Sequence, residues 1–309
     1  MRIVYMGTPD FAVAPLKSIY DAGHEVVGVY TQPDRQKGRG KKFLPSDVKV
    51  EAESLGLNVY QPEKLREADV VEELKALNPE MIVVAAYGQI LSEEVLSIPK
   101  YGCVNIHASL LPKYRGASPI EASILSGDEK TGVTIMYMAK GLDTGDMISS
   151  AEIEIGSHNT ETLTRELSLM GAELIVKAIS DIENGTADRI PQNDAESSYA
   201  PKLDKAMGKM DFSESAESLE RKIRGLYPWP CAFTTFNGKG VKILGARVEG
   251  EDINPETAGQ VVEVGKKRLV IGTGKGNLSI TMLQPEGKKA MDVVSFLNGY
   301  TVQVGDRFE

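Results

Sequence analysis

Asn105 and His107 stand two positions apart in the run CVNIHASLL, with Ile106 between them. In an extended strand, residues i and i+2 project to one face. An amide and an imidazole would then share one space while Ile106 packs behind. Further along, GLDTGD puts Asp143 in a glycine-bounded turn, at the end of a strand that could neighbour the first. Should the three meet, their chemistry is limited. An amide and a protonated imidazole are donors suited to an oxyanion developing on a carbonyl. A carboxylate nearby would hold the imidazole charged and take a proton from an attacking amine, directly or through water. No Ser or Cys stands beside a base, and Cys103 reads as buried, which disfavours a covalent acyl intermediate. The set suits direct transfer of an acyl-like carbonyl to nitrogen, with both substrates bound at once. Plainer uses remain open: a histidine bonded at a strand end, and a turn aspartate bonding its own backbone. Convergence is what separates the two readings.

Such side chains need a frame. RIVYMG, EVVGVYTQ, NVYQ, MIVVAAYG and CVNIHASLL read as strands, the last two apolar enough to be buried on both faces. TPDFAVAPLKSIYDAG, SDVKVEAESLG and VVEELKALN read as the intervening helices, with Gly23 ending the first and Ser46 opening the second. This alternation predicts an α/β fold with a mostly parallel sheet. Two more strands flank the turn at residues 141–146. The longest helix follows, with an apolar stripe of Leu163, Leu167, Met170, Leu174, Val176 and Ile179. From 186 to 211 the periodicity dissolves into Pro, Asp and Ser, as in a linker. Beyond it, one helix stopped by PWP leads into short strands divided by Asn-Gly and Gly-Lys-Gly turns, the pattern of a small antiparallel barrel. GTGKG at 272–276 lies between two such strands, as a hairpin turn would. MGTPDF puts Gly7 at the first strand-to-helix turn, the ligand-binding edge of such sheets, without the spaced glycines of a dinucleotide fingerprint.

The 309 residues suit two domains, and 41% hydrophobic with 26% charged residues is ordinary for a soluble globular chain. MRIVYMGTPDF reaches Gly7 too soon for a signal segment or a membrane span. Cys103 and Cys231 lie far apart in apolar contexts, without metal spacing, as buried thiols of a reducing cytoplasm would. No metal is expected. The net charge of −9 argues against broad nucleic-acid binding. One stretch departs from it: PDRQKGRGKKFLP sets Arg35, Lys37, Arg39, Lys41 and Lys42 against Asp34 alone. A loop of this length and charge is either a solvated run or a local, salt-sensitive phosphate contact.

MGTPDFA, TQPDRQKGRGKK, MIVVAAYG, NIHASLLPKYRG, GVTIMYMAKGLDTGDM and PWP together resemble the methionyl-tRNA formyltransferase family, end to end and in order. The resemblance implies a Rossmann-like formyltransferase domain at 1–189, a linker at 190–207 and an OB-like β-barrel at 208–309 that binds tRNA. It implies transfer of the formyl group of 10-formyltetrahydrofolate to the α-amino group of methionyl initiator tRNA, by a cytoplasmic enzyme acting as a monomer. The family's catalytic motif falls on Asn105, His107 and Asp143. Its folate contacts fall on Ser109, Leu110, Leu111 and Pro112, and around Ala86, Tyr87 and Gly88. The tRNA loop falls on residues 34–44, with Arg35, Lys37, Arg39, Lys41 and Lys42 as its cations. By charge alone, Lys266, Lys267, Arg268, Lys288 and Lys289 are candidates in the second domain, which is close to neutral where the family's is basic. Rival readings are a folate enzyme acting on a small amine, a nicotinamide oxidoreductase and a plain RNA-binding module. The basic loop and barrel speak against the first, the missing glycine fingerprint against the second, and the three polar residues against the third.

Overall fold

Apolar, β-branched runs too short to satisfy their own backbone must pair, and here they pair side by side. In the computed structural model, which describes residues 1–37, 42–251 and 255–309, two units form. The first comprises Met1–Pro119, Lys130–Glu154 and Thr164–Ala200, the second Ile120–Glu129, Ile155–Leu163 and Pro201–Glu309.

The chain runs β1 (Arg2–Gly7), α1 (Val13–Asp21), β2 (Glu25–Tyr30), β3 (Arg35–Lys37), β4 (Lys42–Leu44), α2 (Asp47–Ser54), β5 (Val59–Tyr60) and α3 (Ala68–Ala76). It continues through β6 (Met81–Ala85), α4 (Glu93–Leu96), β7 (Cys103–His107), β8 (Arg115–Gly116), α5 (Pro119–Ser126), β9 (Lys130–Tyr137), β10 (Met147–Glu154), α6 (Thr160–Glu183) and β11 (Tyr199–Ala200). Seven strands make one sheet in the order β10-β9-β7-β6-β1-β2-β5. The five from β7 to β5 are parallel to their neighbours; β9 and β10 run antiparallel at one edge. Every residue of β6 and β7 is buried, as strands covered on both faces require. The order reverses between β1 and β6, so their carboxyl ends flank the crevice where open α/β sheets take ligands.

The longest helix departs from its expected stripe. Its buried face is Leu163, Leu167, Ala172, Ile175, Ala178, Ile179 and Ile182, while Met170, Leu174 and Val176 are only half-buried. The reason lies at Gly171, where a Cβ would come 2.8 Å from Ile106 Cγ2. Small residues turn that face inward by allowing the close approach that larger apolar ones would prevent. Ile106 therefore packs toward α6, and its neighbours Asn105 and His107 project to the opposite face of the sheet.

In the second unit, α7 (Ala216–Gly225) precedes β12 (Ala232–Phe236), β13 (Lys239–Glu249), β14 (Val261–Gly265), β15 (Arg268–Gly272), β16 (Asn277–Pro285), β17 (Met291–Asp292) and α8 (Val293–Gly299). The antiparallel sheet runs β12-β13-β16-β15-β14, with β17 also on β16. Residues 272–276 form the β15–β16 hairpin turn, with Gly272 opposite Asn277. The last residues join the two sheet edges. Thr235 and Glu309 exchange backbone hydrogen bonds at 2.8 and 3.0 Å, Phe308 N donates to Gly259 O at 2.8 Å, and Val261 N to Asp306 O at 2.8 Å. This tail removes the free edges that an open sheet would expose. Phe308 stacks on Phe236 at 4.6 Å inside, in a core with Leu219, Ile243, Leu278 and Phe296.

Candidate active site

Residues at the sheet's carboxyl edge come together here. Asn105 pairs in register with Val84 on one side and Met136 on the other, so its side chain is set by a central strand rather than by a loop. Asn105 is 8% exposed and His107 5%. His107 Nε2 lies 3.0 Å from Tyr114 O. A carbonyl only accepts, so Nε2 carries the hydrogen in this contact and Nδ1 is left facing elsewhere. It faces Asp143, whose Oδ2 is 3.7 Å away. That separation is too long for a hydrogen bond, yet within electrostatic reach for a buried imidazole and a half-buried carboxylate.

Asp143 is not a turn residue bonding its own backbone. Its Oδ2 accepts from Gly116 N at 2.8 Å, and it holds φ at 51°, a conformation that Asp tolerates better than most residues. Gly116 itself is at φ 124°, and a Cβ there would lie 2.4 Å from Ala200 O. Only glycine fits both demands. Gly116→Ala is expected to destabilise the fold by about 2 kcal/mol or more and to lower turnover, because the amide that holds Asp143 must move. Thermal unfolding followed by circular dichroism checks this, and an unchanged melting temperature would contradict the packing argument.

The remaining predicted residues lie along the same edge. Ser109 is fully buried; its Oγ donates to Lys113 O at 2.6 Å, and its carbonyl accepts from Thr134 Oγ1 at 2.7 Å. Leu111 N donates to the same Thr134 oxygen at 3.1 Å, and the Leu111–Pro112 bond is cis, which closes the corner. Leu110 reaches toward Gly132, whose missing Cβ leaves room for it. Ser109 thus shapes the corner and has its hydroxyl engaged internally. At the crevice between β1 and β6, Ala86 and Gly88 are exposed while Tyr87 is buried beneath them. Ala86 and Gly88 both have positive φ, 46° and 87°. Tyr87 O is pinned by Thr8 Oγ1 at 2.9 Å and Gln32 Nε2 at 3.2 Å. Exposed backbone beside an apolar corner fits a flat heterocycle with polar edges.

Residues 1–179 match the formyl transferase family, and residues 202–301 match the formyl transferase C-terminal domain. The chain is 50% identical over 306 residues to the methionyl-tRNA formyltransferase of Alkaliphilus metalliredigens, which covers 99% of this chain and 97% of that one. The chain belongs to the methionyl-tRNA formyltransferase family. More distant members of the fold include the N-formyltransferase of Helicobacter canadensis in complex with folinic acid and dTDP-3-aminofucose. It has TM-score 0.65 at 20% identity, over 90% of this chain and 98% of that one. HypX of Aquifex aeolicus in complex with tetrahydrofolic acid has TM-score 0.66 at 18% identity, over 99% of this chain and 50% of that one. At such identities the likeness is one of fold.

Around the three polar residues, this methionyl-tRNA formyltransferase family member has partners that periodicity and motif do not reveal. Tyr114 contributes through its carbonyl and Gly116 through its amide, neither visible as a side-chain pattern. Gln192 donates to Asp143 O, and Arg115 donates to Gln192. Cys103, on the same strand face as Asn105, is buried in an apolar cluster, and burial pushes its thiol up to about 12, an environment that disfavours the thiolate a nucleophile needs. Among the described residues, no group of His, Cys, Asp and Glu could hold a metal ion. No helix there is long and apolar enough to cross a membrane.

The basic stretch forms a hairpin, β3 on β4, with Arg35 opposite Leu44 and Lys37 opposite Lys42. Arg39 and Lys41 lie outside the described residues. At the hairpin base, Asp34 is taken up by Lys49 at 2.8 Å and Gln61 at 2.8 Å, which hold its carboxyl below its usual range. The one opposing acid is thus neutralised by a lysine from α2. Ser46, the helix cap expected there, accepts from Lys49 N at 3.1 Å and anchors the hairpin's exit. Phe43 is 67% exposed on this hairpin. In the second unit, Lys266 and Lys267 are exposed at the β14–β15 turn, and Lys288 and Lys289 at the β16–β17 turn. Arg268 differs: Glu249 and Glu263 each hold it at 2.6 Å, so its charge is engaged within the protein.

Proposed function

We propose that this chain transfers the formyl group of 10-formyltetrahydrofolate to the α-amino group of methionyl initiator tRNA, acting as a monomer in the cytoplasm. Residues 1–189 would carry catalysis and folate binding, 190–207 the connection, of which the part up to Ala200 packs within the first unit, and 208–309 tRNA binding. The observation that supports the chemistry is the meeting of Asn105, His107 and Asp143 at the carboxyl edge of the sheet, with His107 Nδ1 3.7 Å from Asp143 Oδ2. The formyl donor supplies an activated carbonyl carbon bonded to a nitrogen leaving group. Asn105 and His107 donate toward the carbonyl oxygen as the amine attacks, stabilising the negative charge that develops there. Asp143 accepts the proton that the attacking nitrogen loses. His107, protonated, gives a proton to the leaving nitrogen as its bond to carbon breaks. Formylated methionyl-tRNA and tetrahydrofolate result, with protons balanced between Asp143 and His107.

Leu110, Leu111 and Pro112 seat the heterocycle from one side, on a corner that buried Ser109 shapes from beneath, and the Ala86, Tyr87 and Gly88 backbone from the other. Arg35, Lys37, Arg39, Lys41 and Lys42 meet the phosphates near the acceptor end, while Lys266, Lys267, Lys288 and Lys289 extend the contact. A formylation assay with charged initiator tRNA, charged elongator tRNA and a free amine tests the whole reading. Transfer to the free amine alone would overturn it. Arg39→Ala is expected to raise the apparent constant for tRNA about tenfold and to lower the slope of its logarithm against log salt by about 1. Turnover at saturating tRNA stays the same. A salt slope equal to that of the unaltered protein would remove Arg39 from the interface.

A further inference from the structure

Gln192 stands in a stretch without regular secondary structure, yet its amide has all its hydrogen-bonding positions filled. Nε2 donates to Asp143 O and to Gly145 O, each at 2.8 Å. Oε1 accepts from Arg115 Nε at 3.0 Å and Nη2 at 2.8 Å. A guanidinium has donors only, so it fixes which end of the amide faces it. The oxygen must point to Arg115, and both N–H groups must point to the loop that carries Asp143. That loop needs holding, because Asp143 is at φ 51° and its carboxylate is gripped separately by Gly116 N. Arg115 and Gly116 are adjacent, so one short strand controls the side chain of Asp143 directly and its backbone through Gln192.

The same stretch also reaches the other partner of His107. Tyr114 N donates to Ser198 Oγ at 2.9 Å, and Arg115 N to Ser198 O at 2.9 Å. Tyr114 is the residue whose carbonyl receives His107 Nε2. Ile190 exchanges backbone hydrogen bonds with Met147, each at 2.9 Å, and β11 pairs with β8. Residues 190–200 therefore stitch together the two loops on which the imidazole and the carboxylate depend.

We infer that Gln192, oriented by Arg115, is a positioning residue that holds Asp143 against His107, and that residues 190–200 are a strap on which the catalytic geometry rests. This builds on the catalytic reading of Asp143 given above. Gln192→Ala removes the clasp. Gln192→Glu keeps the size and the acceptor for Arg115, but turns a carboxylate oxygen toward two carbonyls. Both variants lower kcat about tenfold or more and leave KM for tRNA and for formyl donor within about twofold. Rates are taken at a temperature where circular dichroism shows each variant folded. The deciding measurement is the double variant Asp143→Asn with Gln192→Ala. A residue that acts through Asp143 adds nothing once the carboxylate is gone, so the double variant is no slower than Asp143→Asn alone. Independent, multiplying losses would overturn the inference, as would wild-type kcat in both Gln192 variants while Asp143→Asn is impaired. Wild-type kcat in Asp143→Asn would instead remove the catalytic reading, and the inference with it.

Discussion

Asp143→Asn will cut turnover by about 100-fold or more while the constant for tRNA changes little. The substitution is nearly isosteric, and three local features say that the loop will keep its shape. Asparagine tolerates positive φ at least as well as aspartate, so the 51° at this position adds no strain. The side-chain oxygen can still accept from Gly116 N, now 2.8 Å from Oδ2. Gln192 grips the backbone carbonyl, which the substitution leaves in place. What disappears is the charge facing His107 and the ability to take a proton from the amine. A 100-fold loss corresponds to about 2.7 kcal/mol of transition-state stabilisation, a size suited to proton transfer and beyond what a lost surface charge produces. Single-turnover rates with saturating tRNA and donor read the effect directly, and the melting temperature guards against misfolding. A fall in melting temperature that accounts for the whole loss would count against a chemical role.

Much of this arrangement is legible in the residue order, and the limits have physical causes. Period-2 spacing puts Asn105 and His107 on one face, and strand–helix alternation puts that face in a parallel sheet. The carboxylate at 143 can be suspected from its glycine-bounded turn, but its distance from His107 depends on how β9 pairs with β7. Gln192 carries no signal at all. It is a lone amide in an aperiodic stretch, and its partners Arg115, Asp143 and Gly145 lie far off in sequence. The closure of the second unit by residues 306–309 is hidden for the same reason, since a short tail has no periodicity until two edges receive it. Arg268 shows the converse. Counted by charge it joins Lys266 and Lys267 as a candidate phosphate contact, but Glu249 at the end of β13 and Glu263 on β14 hold it in ion pairs that charge counting does not reveal. The stripe on α6 is misread because hydrophobicity alone passes over Gly171, where closeness of packing rather than apolar area decides which face turns inward.

Asn105→Ala will lower kcat by about 100-fold or more as well, through a different loss. Asn105 is fixed by strand pairing on both sides, opposite Val84 and Met136, so alanine keeps the backbone register and removes only the amide. In a site this dry, with Asn105 8% exposed, water cannot readily replace the missing donor. The loss should fall on kcat, because the amide matters most once the formyl oxygen carries charge, and ground-state affinity for donor and tRNA should change little. Asn105→Asp separates geometry from electrostatics. It keeps the shape but sets a carboxylate against the developing oxyanion, in a pocket that already holds Asp143, so turnover should fall further than in the alanine variant. Pre-steady-state formylation of charged initiator tRNA by the two variants decides the matter. If Asn105→Asp were to match the unaltered enzyme, or to exceed Asn105→Ala in rate, an electrostatic role for this amide at the reacting carbonyl would be untenable.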